Sequence, residues 1–246
     1  MKDGLAKPGE RIDDLGRNGY RILTKPDRFS FGIDAVLLSW FAKRKDGESV
    51  VDLCSGNGIV PLLMDARNPG GRYVAVEIQK DMAELADRSF KLNGVADRLK
   101  SLEADAKTVS EILPKHAFDV VTANPPYIRK GSGLENPCGA VNVARHEILI
   151  TLSDVLREAA ALLKPHGRFY MVHRPERLPE ILKNMEENRL KPRDLILVLP
   201  YEDRNANLVL VEGVKDGRNE LKALPPIVVY DKAGNYTETV RKIYQE

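Results

Sequence analysis

The sequence predicts an α/β fold: a doubly wound sheet of about seven mostly parallel strands, with one antiparallel strand at an edge. Three observations carry this reading. Short β-branched runs alternate with helical patterns from residue 50 to residue 173, which is how parallel sheets with helices on both faces are built. A tight glycine turn follows the first of these runs. Acidic residues stand at the ends of three successive runs, at the edge where open α/β sheets gather ligands.

The elements follow in order. "RFSFGIDAVLLSWFAKR" reads as a short extended piece and then a helix, with Asp34 as its N-cap and the basic "KRK" suited to its C-terminal end. "SVVDLC" is a strand and "IVPLLMDAR" a helix; "RYVAVEI" is a strand and "KDMAELADRSFKLNG" a helix closed by Asn93-Gly94. "LKSLEAD" is a third strand, with a short helix near "KTVSEIL", and "FDVVTAN" is the fourth. After a long loop, "HEILITLSDVLREAAALLK" places Ile148, Leu152, Val155, Ala159 and Leu162 on one helical face. "GRFYMVH" is the fifth strand. A helix near 176–188 follows, then "DLILVLPY" and "NLVLVEGV", two strands expected to pair antiparallel at one edge. The tail offers one more extended piece and a terminal helix.

Composition bounds the function. The 246 residues hold 43% hydrophobic and 30% charged residues, ordinary values for a globular domain. No apolar run approaches the ~18 residues of a membrane span, and the N-terminus lacks the apolar core of a secretory signal. Cys54 and Cys138 stand alone without metal-ligand spacing, and read as reduced thiols in the cytoplasm. With only four histidines, no metal site is expected. The 38 basic and 36 acidic residues leave a net charge of +2, so any nucleic-acid footprint must come from local clusters.

In "VVDLCSGNGIV", Asp52 closes the strand and Gly56 and Gly58 make the turn. Glycines there permit positive φ and let a ligand approach the backbone. The dinucleotide fingerprint needs a third glycine, and Pro61 stands in its place. Glu77 ends the second strand, where an acid can hold ribose hydroxyls, and Asp105 follows the third. A lone acid usually caps a helix or faces water. Three at this spacing point to a nucleoside site.

These residues resemble the S-adenosylmethionine site of class I methyltransferases, whose fold is Rossmann-like. "VVDLCSGNG" is similar to that family's first motif. The resemblance implies that Glu77 holds the ribose, that Asp105 binds the adenine amino group, and that Gly56 and Gly58 pass beside the methionine part. This cofactor has no pyrophosphate, which makes the third glycine dispensable. The resemblance spans roughly residues 28–214. It divides the chain into an N-terminal extension over the cofactor site (1–47), a methyltransferase core (48–214) and a C-terminal extension of the same domain (215–246).

At the end of the fourth strand, "NPPY" (Asn124, Pro125, Pro126, Tyr127) resembles the catalytic tetrad of methyltransferases acting on planar amino or amide nitrogens. The chemistry explains the residues. An exocyclic amino lone pair is delocalised into its ring and attacks poorly. The Asn124 amide oxygen and the Pro125 carbonyl can each accept one N–H, which favours a pyramidal nitrogen aimed at the methyl group. Each proline keeps its predecessor extended and brings no competing N–H. Tyr127 offers a flat face to a base, worth ~1–3 kcal/mol. The following loop, to about His146, carries Arg129, Lys130 and Arg145 and suits a clamp on a phosphate backbone. Arg11, Arg17, Arg21, Lys25 and Arg28 add positive charge near the N-terminus, diluted by Asp13, Asp14 and Asp27.

With "FSFGIDAVLLSWFA", "ARHE" and the tail "PPIVVYDKAGNYTETV" included, the chain resembles the bacterial tRNA valine adenine-N6 methyltransferases. That family modifies the adenine 3′ of the anticodon. The likeness implies that Phe31 and Asp34 close over the methionine end of the cofactor and that the partner is tRNA; a monomer is expected, with neither a membrane nor a metal as partner. Alternatives stay open: a ribosomal RNA adenine-N6 or guanine-N2 methyltransferase, a release-factor glutamine-N5 methyltransferase, or a non-catalytic RNA-binding module. The release-factor enzymes carry a separate helical N-terminal domain, whereas about 47 residues precede the first motif here. A silent module would be expected to lose the tetrad or the glycine turn.

Overall fold

The computed structural model describes residues 3–25, 32–127, 150–218 and 220–245. A hairpin of β1 (Arg11–Asp14) and β2 (Arg21–Thr24) comes first, then α1 (Ile33–Phe41). The alternating core runs β3 (Ser49–Leu53), α2 (Ile59–Arg67), β4 (Arg72–Glu77), α3 (Lys80–Leu92), β5 (Leu99–Glu103) and β6 (Phe118–Ala123). It continues through α4 (Leu152–Leu162), β7 (Leu163–His173), α5 (Leu178–Glu187), β8 (Leu190–Leu199) and β9 (Leu208–Lys215). The tail adds β10 (Lys222–Ala223), β11 (Ile227–Val228) and α6 (Glu238–Gln245).

Among the described residues one nine-stranded sheet forms, in the order β10-β8-β9-β7-β6-β3-β4-β5, with β11 also on β8. β9 runs antiparallel to both neighbours, β7 and β8, and the other pairings are parallel. The antiparallel strand is therefore two places in from the edge, inside β8 and the short β10 and β11, which corrects the expected edge position. A parallel neighbour needs a crossover, which α5 supplies between β7 and β8, whereas a short antiparallel return folds straight back. β9 thus fills the gap between them, and all eight of its residues are buried.

Side chains alternate between two cores, as the pleat requires. Val50, Val120, Tyr170 and Val172 face α1, α2 and α3. Val51, Val121, Phe169 and Met171 face α4 and α5. Helix ends follow local chemistry. Thr151 caps α4 by accepting from the Asp154 N–H at 3.2 Å, with Asp154 bonding back to the Thr151 N–H at 3.1 Å. Gly94, at φ +69°, closes α3 as read from Asn93-Gly94. α1 differs: its N-cap is Gly32, not Asp34, and Asp34 lies inside the first turn.

Both flanking segments pack on this core. Leu23 of β2 sits against Met82, Leu85 and Leu92 of α3. The Asn57 amide, in the glycine turn, donates to the Leu23 carbonyl at 3.2 Å. Arg17 and Arg67 both donate to the Ile243 carbonyl, at 3.3 and 3.1 Å, and so fasten α6. Arg17 is thus a buried tie between the two ends of the protein, and Arg11 is engaged by Asp13.

Candidate active site

The glycine turn connects β3 to α2 through left-handed backbone at Cys54, Gly56 and Gly58, with φ of +59°, +56° and +79°. The end of β4 holds it. The Ser55 N–H donates to the Val76 carbonyl at 3.0 Å, and the Gly56 N–H to Glu77 Oε2 at 2.9 Å. Glu77 Oε1 accepts from the Gln79 N–H at 2.9 Å. Gly58 meets a second demand: a Cβ there would lie 2.7 Å from the Phe90 ring. The close helix approach that a third glycine would allow is made at Gly58 instead, by the ring of α3.

Asp105, two residues past β5, keeps about a third of its side chain exposed and accepts from the Lys107 N–H at 2.9 Å. Asp52 is placed differently from the expected row of three. It pairs in register with Thr122, so the two side chains lie side by side on one face of the sheet. Its carboxylate is 1% exposed and accepts the hydroxyls of Ser55 and Thr122, both at 2.6 Å. Asp52 therefore ties the glycine turn to β6 and does not line the crevice. Burial pushes its pKa up to about 7, against the pull of those two hydroxyls. Desolvation and the carboxylates of Glu77, Asp52 and Asp105 push the Cys54 thiol up, away from thiolate chemistry.

Asn124–Tyr127 extends from the C-terminal end of β6, parallel to β3, so the tetrad and the glycine turn share one edge of the sheet. Three side chains close a triangle. The Tyr127 hydroxyl contacts Asn124 Oδ1 at 2.6 Å and Asp34 Oδ2 at 2.8 Å, and Asn124 Nδ2 donates to Asp34 Oδ2 at 3.2 Å. One hydroxyl has one proton, so Asn124 and Asp34 share it. Burial and the Asp34 charge raise the Tyr127 pKa well above its ordinary value, which keeps that proton in place.

Two residues that the sequence reading missed flank Tyr127. The His173 ring packs edge-on against it at 5.2 Å, and the Arg174 guanidinium lies 5.2 Å from its ring centre. Burial and the neighbouring Arg177 pull the His173 pKa down to about 4. His173 Nδ1 accepts from the Arg174 N–H at 2.7 Å, so the neutral ring carries its proton on Nε2. That Nε2 is buried without a partner among the described residues. The signal was available: His173 is the last residue of β7, as Asn124 directly follows β6. Phe31, Arg129, Lys130, Arg145 and Cys138 lie outside the described residues.

Comparison with known proteins places this geometry. The family model described as methyltransferase small domain matches residues 19–189. A protein of Flavobacteriaceae bacterium (strain 3519-10), named tRNA1(Val) (adenine(37)-N6)-methyltransferase, is 28% identical over 162 residues, 66% of this chain and 67% of its own. One of the same name from Dyadobacter fermentans is 25% identical over 203 residues, 82% of each chain. Among solved structures, a predicted O-methyltransferase of Agrobacterium tumefaciens superposes with a TM-score of 0.71 at 24% identity, covering 86% of this chain and 95% of that one. TrmN from Thermus thermophilus gives a TM-score of 0.53 at 23% identity, covering 74% and 48%. At these identities the structural likenesses establish the fold.

Proposed function

The chain belongs to the methyltransferase small domain family, and from that premise we propose that it transfers a methyl group from S-adenosylmethionine to the exocyclic N6 of an adenine in tRNA. The relatives described above act, by their names, on adenine 37 of a valine tRNA, and the same substrate is assigned here. The observation that carries the reading is the position of Asn124. It stands at the end of β6, beside the glycine turn, with its amide nitrogen held by Asp34 and its oxygen turned to a donor.

The residues fit the cofactor. The left-handed turn at Gly56 brings backbone to the crevice, and Glu77 still has lone pairs beyond its two backbone bonds. Asp105 is open enough to accept an adenine amino group. When bound, S-adenosylmethionine supplies an electrophilic methyl group on a sulfonium. The chain orients the acceptor. Asn124 Oδ1 and the Pro125 carbonyl accept the two N–H bonds of N6, which localises its lone pair as the nitrogen becomes pyramidal. No base need act first, because the methylated nitrogen is acidic and gives its proton to water afterwards. The Tyr127 ring holds the base from its side.

The Tyr127 hydroxyl lies 2.6 Å from the Asn124 oxygen that the amino group needs. Base entry exchanges one donor for another, so the acceptor is never left bare. The deciding experiment is single-turnover methyl transfer to unmodified valine tRNA, with the product nucleoside identified after digestion. N6-methyladenosine is expected. A methylated guanosine, cytidine or protein glutamine would overturn the substrate.

A further inference from the structure

We infer that Asp34 is a positioning residue for the transfer step: it fixes the orientation of the Asn124 amide. The inference rests on the N6-amino reading above and adds a residue to it. An asparagine amide has two nearly isosteric orientations, and only one presents an acceptor to an incoming amino group. The other presents N–H to N–H and repels it. Within "NPPY" the prolines carry no N–H, and the Tyr127 hydroxyl beside Asn124 can donate to an oxygen or accept from an amide nitrogen, so the tetrad does not fix the choice. Asp34 does choose. Its Oδ2 accepts from Asn124 Nδ2 at 3.2 Å, so a flipped amide would set its oxygen against a carboxylate.

Asp34 is itself held from three sides. Its Oδ1 accepts from the Ala35 N–H at 2.9 Å, and its Oδ2 accepts from Tyr127 at 2.8 Å. Gly32 leaves room for this side chain, because a Cβ at that position would lie 2.6 Å from Asp34 Oδ1. A carboxylate in the first turn of α1 also suits the helix dipole. The oxygens of Asp34 are thus committed to its own helix and to the tetrad. That is a different assignment from contact with the methionine end of the cofactor, and the two are separable. When the substrate amino group takes the place of the Tyr127 hydroxyl on Asn124 Oδ1, the Asp34–Nδ2 bond is what keeps that oxygen facing it.

The test is a double-mutant cycle between Asp34 and Asn124, read by single-turnover methyl transfer at saturating cofactor and tRNA. Cofactor affinity is followed by calorimetry and folding by thermal melting. Asp34→Ala should lower the rate about 10- to 100-fold, the effect of losing one hydrogen bond to a charged group. Its cofactor affinity should stay within about threefold of the parent. Asp34→Asn should recover most of the rate, since its side-chain oxygen can still accept from Nδ2. In an Asn124→Ala background, Asp34→Ala should change the rate by less than about twofold, because there is no amide left to orient. A near-parent rate together with weakened cofactor affinity would make Asp34 a cofactor ligand and overturn the inference. So would a loss of equal size in the Asn124→Ala background. The nucleoside that the parent enzyme methylates is determined separately, so a wrong substrate and a wrong role for Asp34 give different results.

Discussion

Replacing Asp52 by asparagine should change how stability depends on pH, and the sign can be worked out. Asp52 is 1% exposed, and burial lifts its pKa from 3.8 to about 7. Between those values the folded protein holds a proton that the unfolded chain has released. Stability contributed by this group is complete below pH 3.8 and is lost as pH rises through about 7. The interval is worth roughly 4 kcal/mol, with a slope approaching about 1.4 kcal/mol per pH unit. His173 pulls the other way. Its pKa falls from 6.5 to about 4, so its contribution is complete above pH 6.5 and is lost as pH falls toward 4. In the parent protein the two slopes largely cancel between pH 4 and 6.5, and a single melting curve would show neither. The variant isolates one of them. Asp52→Asn keeps an acceptor and gains donors that the Ser55 and Thr122 hydroxyls can accept, so the local geometry survives. Urea unfolding of both proteins at steps from pH 4 to pH 8 is the assay. The variant should gain on the parent steadily from pH 4 to about 7 and level off above it. Parallel stability curves, with a constant offset between the two, would refute the assignment of a buried protonated Asp52.

Further outcomes follow from the same geometry. Glu77→Ala removes the acceptor for the Gly56 and Gln79 N–H groups and should weaken S-adenosylmethionine binding at least about tenfold by calorimetry. Tyr127→Phe keeps the stacking ring but removes the hydroxyl that covers Asn124 Oδ1; KM for tRNA should stay level or fall, and a large rise in KM would contradict the donor-exchange picture. Gly58→Ala combines φ of +79° with a Cβ 2.7 Å from Phe90, and should cost about 1–3 kcal/mol in urea unfolding. Replacing Arg129, Lys130 and Arg145 with alanine should flatten the salt dependence of tRNA binding by roughly one unit per lost phosphate contact, with cofactor affinity unchanged.

The alternating core was legible because local periodicity encodes it: each strand-helix unit from Ser49 to Ala123 folds where its pattern places it. The position of β9 was also written in the chain, though in a different signal. "LVLVEGVK" is a nearly continuous apolar run, the mark of a strand covered on both faces, whereas an edge strand would alternate more. Asp34 shows what local pattern cannot supply. Its residue type suits a helix cap, but its partner Asn124 lies 90 residues away, and only the assembled sheet brings them together. Asp52 shows the limit of treating strand-end acids alike. It lies one residue inside β3, opposite Thr122 across the ladder, while Glu77 is the last residue of β4 and Asp105 lies beyond β5. That position turns the Asp52 carboxylate to the Ser55 and Thr122 hydroxyls inside the sheet.

The inserted strand β9 also decides where this protein tolerates being cut. The stretch matching the family model stops at residue 189, one position before β8 begins. A fragment ending there would retain Asn124, Glu77, Asp105 and His173, and so every group described at the catalytic edge. It would also leave β7 without the partner that pairs with Arg168–His173, and would uncover the sheet beside the buried Phe169 and Met171. A bare strand of that kind is a template for another chain. During synthesis the same edge stays open until residues 208–215 emerge and fold back along it. β9 therefore covers the edge of β7, and a nick in the connection between β8 and β9 is expected to disturb the sheet before it touches the chemistry.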